Sequence, residues 1–385
     1  MHLSCRSPFT PGSGAPAWIP VTVLLAGTVA AASAPAQSLQ VLIDQAAPGD
    51  TVLVATQDYG RRITVDKPIT LLAAEPGAPR LGGLSGSQAT VIGLTLDGSV
   101  APEPGTLVEA GSDLSLLDCT FRNATRGAMV LAGAERVLFD HCRFDGPIEA
   151  AGLAVGAVSA AFVSCQVTGS AVGIIGEDAF TCDGGAGRAP AERCSSGPCG
   201  RLEITACTFT GGDYQVQLFG SYVLAVTGSQ LLNADTAIRA EGVRLEIEDS
   251  DIISTGGQGT GLDLASVSGF IRKSRILSWR EAIVAGDGGC PAYSDLVIGG
   301  SLEDANDIGG ELWSLRTTQT EPVPADVNFW GSVDCTQVGD TISGQEVGTV
   351  TDFAHLTLFT CGPSPVLPAT WGSLKARYRA GGSGG

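Results

Sequence analysis

The chain has 385 residues, with 53 glycines, 6% aromatic and 16% charged side chains, and a formal net charge of −18. A chain this acidic repels a phosphate backbone, which excludes general nucleic-acid binding. Few charges and many glycines also disfavour long exposed helices and suit short strands with tight turns.

In chain order, the first segment reads as a leader. Arg6 lies in a weakly basic start, "AWIPVTVLLAGTVAAASA" (17–34) is rich in apolar residues, and Ala34-Pro35-Ala36 forms an A-x-A cleavage pattern. Residues 1–36 are expected to be a secretory signal peptide. A membrane anchor wants about 20 uninterrupted apolar residues, and Pro20 interrupts this run. The mature chain is therefore expected to be secreted, to the medium, the cell surface or the periplasm, with no transmembrane segment. Disulfides are permitted there. Residues 39–46 fit a short amphipathic helix, with Leu39, Leu42 and Ile43 turned toward whatever follows.

A repeat then takes over. Cys119, Cys142 and Cys165 recur every 23 residues. Extending their column gives Leu94 before them and Cys207, Ser229, Ser250, Ser274 and Gly300 after, with one long step around an insertion near 177–200. Three residues earlier stand Val91, Leu116, Phe139, Phe162, Ile204, Val226, Ile247, Ile271 and Val297, all apolar. Two residues later stand Leu96, Phe121, Phe144, Val167, Phe209, Leu231, Ile252, Ile276 and Leu302, again all apolar. Turn formers such as Gly98, Asn123, Gly146 and Asn233 follow two positions on. The sequon Asn123-Ala-Thr125 falls in that turn column and reads as turn chemistry. Alternation means strands, and a second apolar segment follows each turn. Such a unit cannot bury its apolar face alone; stacking closes a continuous core. A leucine-rich consensus is absent and a propeller blade needs about 40 residues. The fold class is all-β: a right-handed parallel β-helix over 37–362, with an N-terminal capping helix. Phe329 and Trp330 are expected to close its far end, and a Pro/Gly-rich tail (363–385) is expected to be disordered, with a sorting signal as its alternative.

Particular stretches carry a family resemblance. "PGDTVLV", the Tyr59-Gly60 turn and "ITVDKPITLLA" within 38–73, together with "VNFWGS" (327–332), resemble bacterial right-handed parallel β-helix proteins of the pectin-lyase-like superfamily. The resemblance implies the fold. For function it implies a choice, because one fold hosts many chemistries. Polysaccharide lyases of this superfamily use carboxylates for calcium and a basic residue to take a proton, and its hydrolases use paired aspartates.

The second strand segment of each repeat offers an outward column, Gln217, Arg239 and Asp263 on successive rungs. Arg239 and Asp263 are the catalytic candidates. The same pair also fits a plain charge ladder beside Glu248/Arg272, Asp249/Lys273 and Asp251/Arg275, because equivalent positions on neighbouring rungs lie about 4.8 Å apart. Gln217, Tyr214, Trp279 and Tyr293 are binding candidates, the three aromatics as sugar-stacking faces. The insertion 176–201 and a second excursion, 286–295, leave after equivalent segments and should emerge on one side, where long loops carry recognition. His141 is expected to pair with Asp118, and two distant histidines make no zinc site.

Of eleven cysteines, Cys5 lies in the leader. Cys119, Cys142, Cys165 and Cys207 read as reduced, buried thiols at a site wanting a small side chain, with a cross-rung bridge as the alternative. Cys335 and Cys361 are expected to pair. Cys182, Cys194, Cys199 and Cys290 supply two further disulfides whose connectivity is open. The leading expectation is thus a non-catalytic exported module that binds polysaccharide or a cell-surface glycan, with no cofactor. The alternatives are a polysaccharide lyase or glycoside hydrolase, calcium entering only with the lyase, and a structural spacer or adhesin.

Overall fold

The computed structural model describes residues 38–351, except 102–104, 156–157, 178–199, 287–295, 302, 318–322, 326–327, 331–337, 339 and 344–349. The leader, the tail, Tyr293 and the six non-ladder cysteines after Cys5 therefore lie outside the described residues. From Thr51 onward the chain winds into coils of three short strands each. One strand of each coil joins an eleven-stranded sheet, and the other two join a nineteen-stranded sheet that wraps the remaining two sides. Every pairing between these strands is parallel, and equivalent residues of successive coils face each other. The fold is a parallel β-solenoid.

The core follows from the repeat. On the first side Leu71, Val91, Leu116, Phe139, Phe162, Ile204, Val226, Ile247 and Ile271 stack inward in register and are fully buried. Leu96, Phe121, Phe144, Val167, Phe209, Leu231, Ile252 and Ile276 do the same on the second side. Identical residues on successive rungs stack face to face. The Phe121 and Phe144 rings lie 4.4 Å apart at 13°, and Phe139 and Phe162 lie 4.7 Å apart at 10°. Gly152 makes room for this: a Cβ there would come within 3.0 Å of the Phe162 ring.

The last rung departs from the sequence register. Phe270 and Ile271 pair with Val297 and Ile298, so Ile298 points inward and Val297 is 37% exposed. Leu296-Val297-Ile298 is apolar throughout, so alternation alone does not choose the inward residue, and a slip of one flips every side chain. The cysteine/serine column likewise continues at Asn306, because the Asp307 amide donates to the Ser274 carbonyl. Ile276 then pairs with Ile308. Gly300 does not stand in that column, and Leu302 lies outside the described residues.

The first coil is capped by helix α1, Leu39–Gln45, with Ser38 as N-cap. Leu39 and Ile43 are buried, whereas Leu42 is 37% exposed and does not face the coil as expected. A seven-residue helix has one narrow face, and Leu39 and Ile43, four apart, already fill it. Gln40 works as a substitute strand: its amide donates to the Thr64 carbonyl and accepts from the Thr64 amide. That satisfies an edge which would otherwise template further pairing. Near the far end Trp330 is buried, and Phe329 exchanges backbone hydrogen bonds with Asn306 and Ile308.

The four ladder thiols are free and buried, as expected, but their role is more specific than filling space. The residue before each column position, from Asp118 through His141, Ser164, Ala206, Gly228 and Asp249 to Lys273, has positive φ. This corner turns the next amide into the interior. The column residue's carbonyl accepts from the following rung, but its own N–H has no backbone partner there. From Cys165 on, a side chain of the next rung supplies the acceptor. The Cys165 amide donates to Cys207 Sγ (3.3 Å), Cys207 to Ser229 Oγ (3.1 Å), and Ser229 to Ser250 Oγ (3.3 Å). Ser250 donates to Ser274 Oγ (3.2 Å), Ser274 to Asn306 Oδ1 (2.9 Å), and Asn306 to Asn328 Oδ1 (3.1 Å). A buried N–H left unpaired is costly, so the column needs a small acceptor. Each thiol also donates to a carbonyl, as Cys142 does to Leu116 and Cys165 to Phe139.

Candidate functional site

The Gln217–Arg239–Asp263 column forms as expected. Gln217 pairs with Arg239 and Arg239 with Asp263 on the third side of the solenoid, and all three side chains are half-buried. Alternation along Tyr214–Phe219, Thr236–Glu241 and Thr260–Ala265 turns them outward, while Val216, Ile238 and Leu262 fill the core beneath. Ile175 precedes Gln217 in this column and Val284 follows Asp263, so the polar stretch is three rungs long between apolar neighbours.

Arg239 is the hub. Its Nε lies 3.6 Å from Asp263 Oδ2, and its Nη1 donates to Tyr214 Oη at 3.4 Å. The guanidinium carbon stands 6.0 Å from the Tyr214 ring centre and 5.8 Å from that of Phe219, within cation–π range. Phe219 was not among the sequence candidates. Its signal was only the outward parity two residues past Gln217.

The rung positions of the two excursions are the second structural fact about this face. Two residues beyond the polar column runs another outward column, Phe219, Glu241, Ala265 and Gly286, with Glu177 paired before Phe219. Segments 178–199 and 287–295 begin immediately after Glu177 and Gly286. Glu177 and Gly286 thus share one column, with the Gln217, Arg239 and Asp263 rungs the three between them; the excursions themselves lie outside the described residues.

Trp279 does not belong to this surface. It is fully buried and its Nε1 donates to the Ile252 carbonyl at 3.0 Å. Gly261 leaves the space that the indole fills, since a Cβ there would sit 3.1 Å from Trp279 Cδ1. A polar indole N–H with a carbonyl to meet is at home in a core.

Other expected pairs divide. Glu248–Arg272 (2.8 Å) and Asp251–Arg275 (3.4 Å) form across rungs. Lys273 instead joins Glu248, at 2.9 Å, rather than Asp249. His141 turns to Asp140, its chain neighbour, at 2.7 Å and not to Asp118. Both departures occur at positive-φ corners, which swing the side chain off the ladder axis. Among the described residues the buried charge lies elsewhere. Asp97, 1% exposed, takes ion pairs from Arg122 (2.9 Å) and Arg80 (3.6 Å). Burial pushes its carboxyl up, but hydrogen bonds from Ser99, Asn123 and Arg122 outweigh it and hold the pKa at about 2.

The chemistry open to the third-side face is limited. Calcium wants six to eight oxygens, and glycosidic hydrolysis wants two carboxyls flanking the bond. Among the described residues no three His, Cys, Asp or Glu side chains converge on a common point. Asp263 has a guanidinium beside it, which opposes a cation, so the described residues of this face do not fit calcium. They form a flat row of amide, guanidinium and carboxylate with an aromatic flank.

No family model matches the chain, and no curated protein matches it. Solved structures do. A mannuronic acid specific polysaccharide family 6 lyase from human gut microbiota is 12% identical over 86% of this chain and 89% of its own, with a TM-score of 0.37. The A-module of a mannuronan C-5 epimerase from Azotobacter vinelandii is 11% identical over 86% and 94%, with a TM-score of 0.40. A family 6 alginate lyase mutant is 11% identical over 86% and 58%, with a TM-score of 0.31.

Proposed function

We propose that this chain is an exported β-solenoid module that binds polysaccharide, without catalysing its cleavage, across the third-side face at Gln217, Arg239 and Asp263. The observation that carries the reading is the coincidence of rungs. The polar, aromatic-flanked stretch occupies the three rungs between Glu177 and Gly286, after which the sequence inserts its two long excursions, and long insertions on a rigid scaffold are where recognition is commonly carried. Gln217, Arg239 and Asp263 offer in-plane donors and acceptors for sugar hydroxyls, and Tyr214 and Phe219 add apolar surface. Export rests on the leader 1–36 and the solenoid on 37–362.

The test is isothermal calorimetry of the exported protein against neutral and acidic oligosaccharides, with Arg239→Ala, Asp263→Asn and Tyr214→Ala beside the native chain. Arg239→Ala is expected to weaken binding at least tenfold with an unchanged melting temperature, because Arg239 sits outside the core. Release of unsaturated sugar ends by the native chain, lost in Arg239→Ala, would assign a lyase instead. No binding by any glycan would leave the spacer or adhesin.

A further inference from the structure

A second depression lies on the first side of the solenoid, away from the column just described. It is an open groove of about 480 Å³ lined by Asp113, Ser115, Arg136, Leu138, Ala161 and Glu203, among others. Its shape follows from the outward residues of four successive rungs. One outward column runs through Arg136, Ser159 and Arg201, and the next through Ser115, Leu138, Ala161 and Glu203. On the Ser159–Val163 rung the outward residues are small, Ser159 and Ala161, while both neighbouring rungs carry long ones. Those flanking rungs are two strand spacings apart, about 10 Å. The result is a trough one rung wide.

We infer that this trough is a binding site for a neutral oligosaccharide, one sugar ring wide. Three features choose that ligand. The charges at its rims already have partners: Arg136 holds Asp113 through two hydrogen bonds, and Arg201 Nε holds Glu203 Oε1 at 2.6 Å. An ionic ligand would have to break a pair, whereas hydroxyls add hydrogen bonds to the remaining carboxylate lone pairs and guanidinium protons. The floor carries the methyl of Ala161 and the hydroxyl of Ser159, with the alkyl surface of Leu138 on one wall, which suits a ring with one C–H face and equatorial hydroxyls. An extended peptide is disfavoured because the trough lies on a sheet face. The strand amides there are committed to the parallel ladder and offer a peptide backbone no partners.

The experiment titrates the full chain with cellohexaose, mannohexaose, xylohexaose and a hexauronate, and with an extended decapeptide library, by calorimetry and ligand-observed NMR. Ala161→Trp fills the trough, and Ser159→Tyr fills it from the adjoining column. At least one neutral hexaose is expected to bind to Arg239→Ala, in which the third-side face is disabled, and to bind at least tenfold more weakly once Ala161→Trp or Ser159→Tyr is added to that variant. Absence of binding by all three neutral hexaoses would overturn the proposal. So would unchanged binding in both filled variants, or saturation by the peptides alone. Loss in Arg239→Ala with retention in Ala161→Trp would also overturn it, assigning the ligand to the third-side face. The two sites thus fail separately.

Discussion

The inner column has two halves that occupy the same backbone geometry with different chemistry. From Cys119 to Cys207 it is made of thiols, and the rings of Phe121, Phe144, Phe139 and Phe162 stack beside it. From Ser229 to Asn328 it is made of hydroxyls and amides, beside Leu231, Ile252, Ile276 and Ile308. The corner that creates the inward N–H is the same in both, with φ near 50° to 60°. From the Cys165 amide onward the column supplies a small acceptor, sulfur once, at Cys207, and oxygen thereafter. A thiol is a soft, poorly hydrated acceptor compatible with packed aromatics. Hydroxyls and amides bond more strongly and serve where the wall is aliphatic. Hydrogen bonding with Cys119 and Cys165, with burial, pushes the Cys142 thiol up.

The largest break in this comparison should come at Asn306. Its side chain accepts from Ser274 and donates to the Ile271 carbonyl and to Asn328. Asn306→Leu strands several buried groups at once and is expected to cost about 3–5 kcal/mol in urea unfolding. A loss under 1 kcal/mol would show that the column is packing alone.

The rung just before the thiol half holds a buried charge, Asp97, paired with Arg122 of the Cys119 rung, which makes stability there depend on acid. The folded pKa of about 2 lies below the ordinary 3.8, so the stabilisation is complete above the ordinary value and is lost as pH falls toward 2. Linkage puts it at roughly 2 kcal/mol. Unfolding of the native chain between pH 5 and pH 2 should show this slope, and Asp97→Asn should flatten it; equal slopes would remove Asp97 from the account.

Reciprocal swaps sharpen the comparison further. Ser250→Ala deletes the acceptor of the Ser229 amide and is expected to cost about 1–3 kcal/mol. Ser250→Cys restores an acceptor and should recover about half of that loss; a cysteine no better than alanine would mean the thiol half is held by its rings. The smallest effect is expected from Cys165→Ser, within about 1 kcal/mol of the native chain. Alkylation of the unfolded, unreduced protein should label four cysteines, because in-register side chains stand about 4.8 Å apart and disulfide Cβ atoms need about 3.8 Å. Finding none labelled would establish cross-rung bridges.

Much of the solenoid was legible because every rung repeats the same parity. Val91 through Ile271 and Leu96 through Ile276 are inward as the columns required, and Gln217, Arg239 and Asp263 are aligned outward for the same reason. Parity failed where it is ambiguous or absent. Leu296-Val297-Ile298 offers two frames, and only pairing with Phe270 and Ile271 selects one. Trp279 sits in a strand segment of uncertain parity, and its direction depends on the vacancy left by Gly261 on a neighbouring rung. Leu42 lost its place because α1 is too short for a third inward residue.

The sequence by itself determined the coil pitch, the inward and outward columns, the corner residues and the shared column after which the two excursions begin, since all are properties of a local period of two within a repeat of about 23 residues. Tertiary structure decided what those columns do. That the column from Cys207 on is a chain of amide acceptors, that Lys273 and His141 leave their ladders, and that a trough opens at Ser159 and Ala161 all depend on which atoms of the next rung lie opposite. A repeat specifies equivalence between rungs, but a hydrogen bond or a groove is a relation between particular side chains across them.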